Sequence, residues 1–283
     1  MINNDTLYIT DLDGTLLNDE SRVSDESARI ISRLSREGCM ITVATARTAA
    51  TVEPLLRHTL TCVPAVVMTG AALWSRTDGK YLDVRYIGSE LSRAIVEECR
   101  RGALTPFCYN VDPDGIIRAY FSGRPDRREQ KFIDERSGLA LKRMYVVDGP
   151  SASTDGAENS VLIFALGNLD RIYAVADRLR ERGDCAVSSY PDIFNPSEGY
   201  LEVLAPGVSK ASAIRRLKEL VGARRTVVFG DNLNDLPMMR EADVSVAVSN
   251  ALDEVKQAAD MVTGLNTAHS VARCIEKMWR GDV

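Results

Sequence analysis

Leu7-Tyr-Ile-Thr-Asp-Leu-Asp-Gly-Thr-Leu-Leu17 is the stretch that decides the fold of this 283-residue chain. A short apolar run of strand length ends on two acids and a glycine. Asp11 and Asp13 stand two apart, so an extended backbone points both carboxylates to the same side. Open α/β sheets build their sites in the crevice beyond the carboxyl ends of their strands, and this is such an end. Gly14 lets the backbone turn sharply there.

Outward from this stretch the pattern repeats. Met40-Ile-Thr-Val-Ala44 and Ala65-Val-Val-Met68 are further strand-like runs. Between the first two lies a helical segment opened by Ser24 as N-cap, carrying Ala28, Ile31 and Leu34 on one face and stopped by Gly38. Thr226-Val-Val-Phe229, Val244 to Val248 and Met261-Val-Thr263 continue the same grammar near the far end. Strands alternating with helices predict an α/β fold with a Rossmann-like parallel sheet as core. The middle of the chain differs. Val161 to Leu166 leads into a helix with Leu169, Ile172, Tyr173, Ala176 and Leu179 on one face, then a strand over Ala186 to Tyr190. Turn punctuation such as Asp112-Pro-Asp-Gly115, Ser122-Gly-Arg-Pro125, Asp148-Gly-Pro150 and Pro191 to Gly199 gathers there. The expected organisation is a core of residues 1–83 plus 200–283 with an inserted α+β cap domain over 84–199.

Composition narrows the function. Thirty-five Lys and Arg against 40 Asp and Glu leave a net charge of -5, so no overall field draws the chain to nucleic acid or anionic lipid. No run approaches the ~18 apolar residues of a membrane span, which leads us to expect a cytoplasmic protein. The six cysteines form no CxxC pair, and His58 and His269 stand in no ligand or triad spacing.

The chemistry concentrates at strand ends. Paired carboxylates at Asp11 and Asp13 either hold a hard cation or divide the roles of nucleophile and acid/base. Thr45-Ala-Arg47 offers a hydroxyl and a guanidinium suited to phosphate, although Thr45 also reads as a helix cap. Lys210 follows Ser209 in the first turn of a helix with Ile214 and Leu217 inward, where the helix dipole disfavours a cation; an anion nearby would explain the placement, and a solvated surface lysine is the alternative reading of this residue by itself. Gly230-Asp-Asn-Leu-Asn-Asp235 places a second acidic cluster after a strand. By spacing alone Asp235 is a helix cap ahead of Pro237, whereas Asp231 stands too far before the helix for that role. Asn250, three before Asp253, also reads as an N-cap.

With these residues in order, the chain resembles the haloacid dehalogenase superfamily, specifically its Cof-type phosphatases with a large cap. Thr10 to Leu17 is similar to the first motif, Thr45 to the second, Lys210 to the third and Gly230 to Asp235 to the fourth. The resemblance implies Asp11 as nucleophile and Asp13 as acid/base, with magnesium held by Asp11, Asp13 and Asp231. It further implies phosphate contacts from Thr45, Lys210 and Asn234, and supporting or substrate contacts from Arg47, Thr69, Gly70 and Asp235. Thr69-Gly-Ala71 stands where relatives commonly have Asn-Gly-Ala, Ala46 where Thr-Gly-Arg is usual, and His269-Ser270 where Asp-Gly is usual. The implied activity is hydrolysis of small phosphorylated metabolites, sugar phosphates foremost, through an aspartyl-phosphate. A phosphomutase or phosphotransferase needs the same motifs and stays open. A receiver-type signalling module also has a phospho-accepting aspartate, but Asp13 argues against it because an acid/base beside the phosphoaspartate shortens its life.

Overall fold

The five residues of the first strand, Thr6–Thr10, are all buried, as expected of a strand covered on both faces of a parallel sheet. A computed structural model of the chain describes residues 5–147, 158–192 and 195–282. Its elements run β1 (Thr6–Thr10), α1 (Asp25–Arg36), β2 (Met40–Val43), α2 (Ala49–Leu56), β3 (Ala65–Val67), β4 (Ala72–Ser75) and β5 (Lys80–Val84). There follow α3 (Ser89–Arg101), β6 (Phe107–Val111), β7 (Ile117–Ser122), α4 (Arg127–Ser137), β8 (Lys142–Val147), β9 (Ser160–Asn168), α5 (Leu169–Arg182), β10 (Ala186–Pro191) and β11 (Glu198–Leu204). The chain closes with α6 (Lys210–Val221), β12 (Arg225–Gly230), α7 (Leu236–Glu241), β13 (Val244–Ala247), α8 (Asp253–Ala258), β14 (Met261–Val262) and α9 (Ser270–Arg280). These elements gather into two units, Met1–Leu82 with Ser209–Val283, and Asp83–Val208.

The first unit is built on a parallel sheet of order β14-β13-β12-β1-β2. Thr10 pairs with Phe229 on one side and Val43 on the other, so β1, β12 and β2 end level with one another. That register delivers Asp11, Ala44 and the Gly230 turn to one edge. Helix α1 is capped as its sequence implies, the Ser24 hydroxyl accepting from the Ser27 amide. The third apolar run departs from a simple parallel pattern. β3 forms an antiparallel hairpin with β4, and just beyond β2 an isolated parallel bridge joins Ala44 to Val66.

The second unit carries a six-stranded sheet of order β10-β11-β9-β6-β7-β8. Its pairs are antiparallel except β7 with β8. The expected limit at residue 199 falls inside β11, whose pairing with β9 carries this unit on to Val208. On α5 the buried stripe is Ile172, Val175, Ala176 and Leu179, while Tyr173, expected on that face, is exposed. Asp112 to Gly115 is the tight turn its residues suggest, closed by the Gly115 amide on the Asp112 carbonyl at 3.0 Å. Asp148 to Pro150 lies outside the described residues. No helix among the described residues is long and apolar enough to cross a membrane.

A lysine is buried in this second sheet. Lys142 is 2% exposed, donates to the Tyr109 hydroxyl at 3.1 Å and lies 4.2 Å from the centre of that ring. Burial, with repulsion from Arg136, pulls its ammonium down to about 7. A group depressed in the fold binds fewer protons there than in the unfolded chain, so this site's stability rises with pH between about 7 and the unfolded value near 10.4. Lys142→Met should therefore stabilise the protein by on the order of 2 kcal/mol at pH 7, with the gain vanishing above about pH 10.5. Thermal denaturation across that range checks it, and a variant less stable at pH 7 would contradict it.

Candidate active site

Asp11 leaves the sheet extended, its amide donating to the Phe229 carbonyl at 3.0 Å, so β12 holds the first carboxylate in place. Three residues on, Gly14 adopts φ +78°, and a Cβ there would stand 2.4 Å from Asp231 Oδ2. The glycine thus permits both the turn and the approach of the second acidic loop. Thr15 is buried and donates from its hydroxyl to Asp231 Oδ1 at 2.8 Å. Asn250 does not cap α8, whose N-cap position is Leu252. Its side chain donates instead to the Gly14 carbonyl at 2.7 Å and accepts from the Asn266 amide. Thr15 and Asn250 are parts of the site that local spacing conceals, because Asp231 and Gly14, which they bond, lie more than 200 residues away in sequence.

The anion that would explain the placement of Lys210 is present twice. Ser209 caps α6, and the buried Lys210 ammonium donates to Asp11 Oδ1 at 2.5 Å and to Asp235 Oδ1 at 2.8 Å. Asp235 is fully buried, and its other oxygen accepts from the amides of Asp231 at 3.1 Å and Asn232 at 3.3 Å. Its side chain therefore does not cap α7 but ties the loop after β12 to Lys210.

Three carboxylates, Asp11, Asp231 and Asp235, offer oxygens within 4.8 Å of one another. Among the described residues Lys210 is the one cation paired with this group, so with all four ionised two negative charges stay uncompensated. The titration behaviour reflects that excess. Burial pushes Asp11 up to about 8, with Lys210 opposing and the charges of Asp235 and Asp231 reinforcing. Burial likewise raises Asp231 to about 6, although Thr15 holds its ionised form and Asp235 repels it. For Lys210, burial works against the charge, but Asp11 and Asp235 outweigh it and hold the ammonium above its ordinary range. Asp11 and Asp231 each keep one oxygen free of hydrogen bonds to the described residues. A hard divalent cation matches both this oxygen set and the missing charge.

The remaining candidates surround this cluster. Asp13 is half-exposed and directs its carboxylate to Arg47, which donates from Nε at 2.7 Å and Nη2 at 2.6 Å. It is Asp235, and not Asp13, whose side-chain oxygens lie with those of Asp11 and Asp231. Thr45 is buried, its hydroxyl accepting from the Arg47 amide at 3.1 Å and its carbonyl from the Thr69 amide at 3.0 Å. Gly70 is buried where a Cβ would lie 2.2 Å from the Ser209 carbonyl oxygen. Asn234 is exposed in the turn Leu233–Asp235.

Residues 8–275 match the family model of the haloacid dehalogenase-like hydrolases. The chain is 27% identical over 275 residues to the 5-amino-6-(5-phospho-D-ribitylamino)uracil phosphatase YcsE of Bacillus subtilis (strain 168), covering 95% of this chain and 94% of that one. It is also 27% identical over 277 residues to the phosphatase YbjI of the same name from Escherichia coli (strain K12), covering 96% and 95%. Among solved structures it resembles TM0651 of Thermotoga maritima, with a TM-score of 0.74, 25% identity and 96% of each chain covered.

The buried charges make a testable demand. Removing Lys210 leaves two carboxylates without their cation, a loss on the order of 3 kcal/mol. At pH 5 Asp11 holds its proton and the loss is smaller, whereas at pH 8 it has begun to ionise and the loss grows. Lys210→Met, unfolded thermally in a chelating buffer, should lose more stability at pH 8 than at pH 5. An equal loss at both would contradict the pairing.

Proposed function

The chain belongs to the haloacid dehalogenase-like hydrolases and is a phosphatase of that family, and from this premise we propose that it hydrolyses small phosphorylated metabolites, with magnesium, through a phosphoaspartate on Asp11. The observation that carries the proposal is the buried Asp11 carboxylate with one oxygen held by Lys210 and the other left for attack. The curated relatives named above are phosphatases of a phosphorylated ribityl compound, which supports a sugar- or polyol-phosphate substrate.

Asp11 and Asp231, with Asp235 beside them, would hold the magnesium; the donor set and its charge excess fit it. When bound, the cation offsets charge on the phosphoryl oxygens. The chain's own groups do the rest. Lys210 fixes the Asp11 carboxylate and presents positive charge to the incoming phosphate, while the Thr45 hydroxyl supplies a neutral donor. The free oxygen of Asp11 attacks phosphorus, the ester oxygen departs, and Asp13 gives that oxygen a proton. Water then attacks the phosphorus, Asp13 takes its proton back, and inorganic phosphate leaves Asp11 regenerated. In the present arrangement the Asp13 carboxylate is engaged by Arg47, so the acid step requires this ion pair to open. Its members are 32% and 53% exposed, and such pairs cost little to separate.

Asp11→Asn should lower kcat for p-nitrophenyl phosphate by about ten thousand-fold, or about 5 kcal/mol in the barrier. Chelation should stop the wild-type enzyme, and added magnesium should restore it. A panel of phosphorylated metabolites read by phosphate release identifies the substrate. Turnover indifferent to chelation would remove the metal from the account, and a near-normal Asp11→Asn rate would move the nucleophile elsewhere.

A further inference from the structure

Three consecutive residues in the first unit have left-handed backbone conformations: Met68 at φ 50°, Thr69 at 54° and Gly70 at 97°. Only the last is glycine. A β-branched residue at positive φ is a true outlier, since its side chain crowds its own backbone, and such strain persists only where surrounding contacts enforce it. The contacts that enforce it here are specific. The Met68 amide donates to the Arg47 carbonyl at 2.9 Å, and the Thr69 amide to the Thr45 carbonyl at 3.0 Å. On the other side, Gly70 abuts the Ser209 carbonyl, and its own carbonyl accepts from Arg216 of α6 at 2.8 Å. Met68 is fully buried and Gly70 buried, which leaves Thr69 as the half-exposed member.

The turn therefore joins the segment bearing Thr45 and Arg47 to the helix start bearing Lys210. Its two ends grip the two arms that would hold a phosphoryl group. An uncoiled or flexible connection would let those arms drift, and a phosphate site tolerates little drift, because misplacement by about 1 Å is costly to transition-state contacts. We propose that the Met68–Gly70 turn is a strained positioning device for phosphate, and that Thr69 acts through its backbone conformation, fixing the spacing between Thr45 and Lys210. The inference rests on the proposed phosphatase chemistry for its kinetic readout, and Thr69 serves in it as a positioning residue.

Three replacements separate the backbone from the side chain. Asparagine tolerates the left-handed region better than threonine, so Thr69→Asn keeps the turn and relieves strain. Glycine enters that region freely but leaves it as freely, so Thr69→Gly loosens the turn. Serine retains the hydroxyl. Steady-state kinetics on p-nitrophenyl phosphate, melting temperatures and calorimetric binding of inorganic phosphate are read for each. The expected pattern is a melting temperature about 2 °C higher for Thr69→Asn than for wild type, and a KM for Thr69→Gly at least about fivefold above that of Thr69→Asn, with phosphate affinity weakening in parallel. If Asn and Gly lose equally while Ser does not, the hydroxyl contacts substrate and the positioning role is overturned. If all three match the wild type, the turn has no such role. Should the wild type release no phosphate from any ester, the proposed function fails by that result, and binding of inorganic phosphate by the same variants still decides the present inference.

Discussion

Lys210 shared between Asp11 and Asp235 is the interaction on which the rest of the first unit depends. A buried ammonium and two buried carboxylates are each costly to desolvate, and they persist together because each supplies part of the others' missing solvation. The pairing explains three separate local choices. It puts a lysine in the first turn of α6 against the helix dipole, it draws Asp235 away from the helix it precedes, and it fixes Asp11 by one oxygen only. The surplus of carboxylate over ammonium then makes the cluster incomplete by itself, which is the physical sense in which it is a site and not merely a buried network.

The second unit offers the opposite case. Lys142 is as deeply buried as Lys210, yet among the described residues its ammonium meets a phenol and aromatic rings where Lys210 meets carboxylates. One lysine is raised by its surroundings and the other lowered. Burial is common to both, so the difference lies in the partners. Two lysines in one chain thus separate what burial does from what a counter-charge does.

Much of this was legible before the fold was known. Strand ends bearing acids, and a lysine in a helix's first turn, each break a local preference, and a broken preference points to a distant partner. That β1, β2 and β12 run parallel in one sheet followed from the alternation of strands and helices, while their order did not. Other features were hidden because local rules explained them too well. Asp235 and Asn250 sit at cap-like spacings, yet their real partners are loop amides, Lys210 and the Gly14 carbonyl. The Met68–Gly70 turn was invisible because nothing in a methionine and a threonine announces positive φ. Residues 200–204 read as the return to the core until the pairing of β11 with β9, some thirty residues earlier, assigns them to the second sheet.

Proton release on metal binding tests the central claim most directly. If Asp11 and Asp231 hold protons that a cation must displace, calorimetric titration of the protein with magnesium in buffers of different ionisation enthalpy should show one ion bound. Protons should be released near pH 6 to 7, with little release above about pH 9. Binding of magnesium with no proton release at pH 6, or no binding at any pH, would contradict the account of a cluster built two charges short.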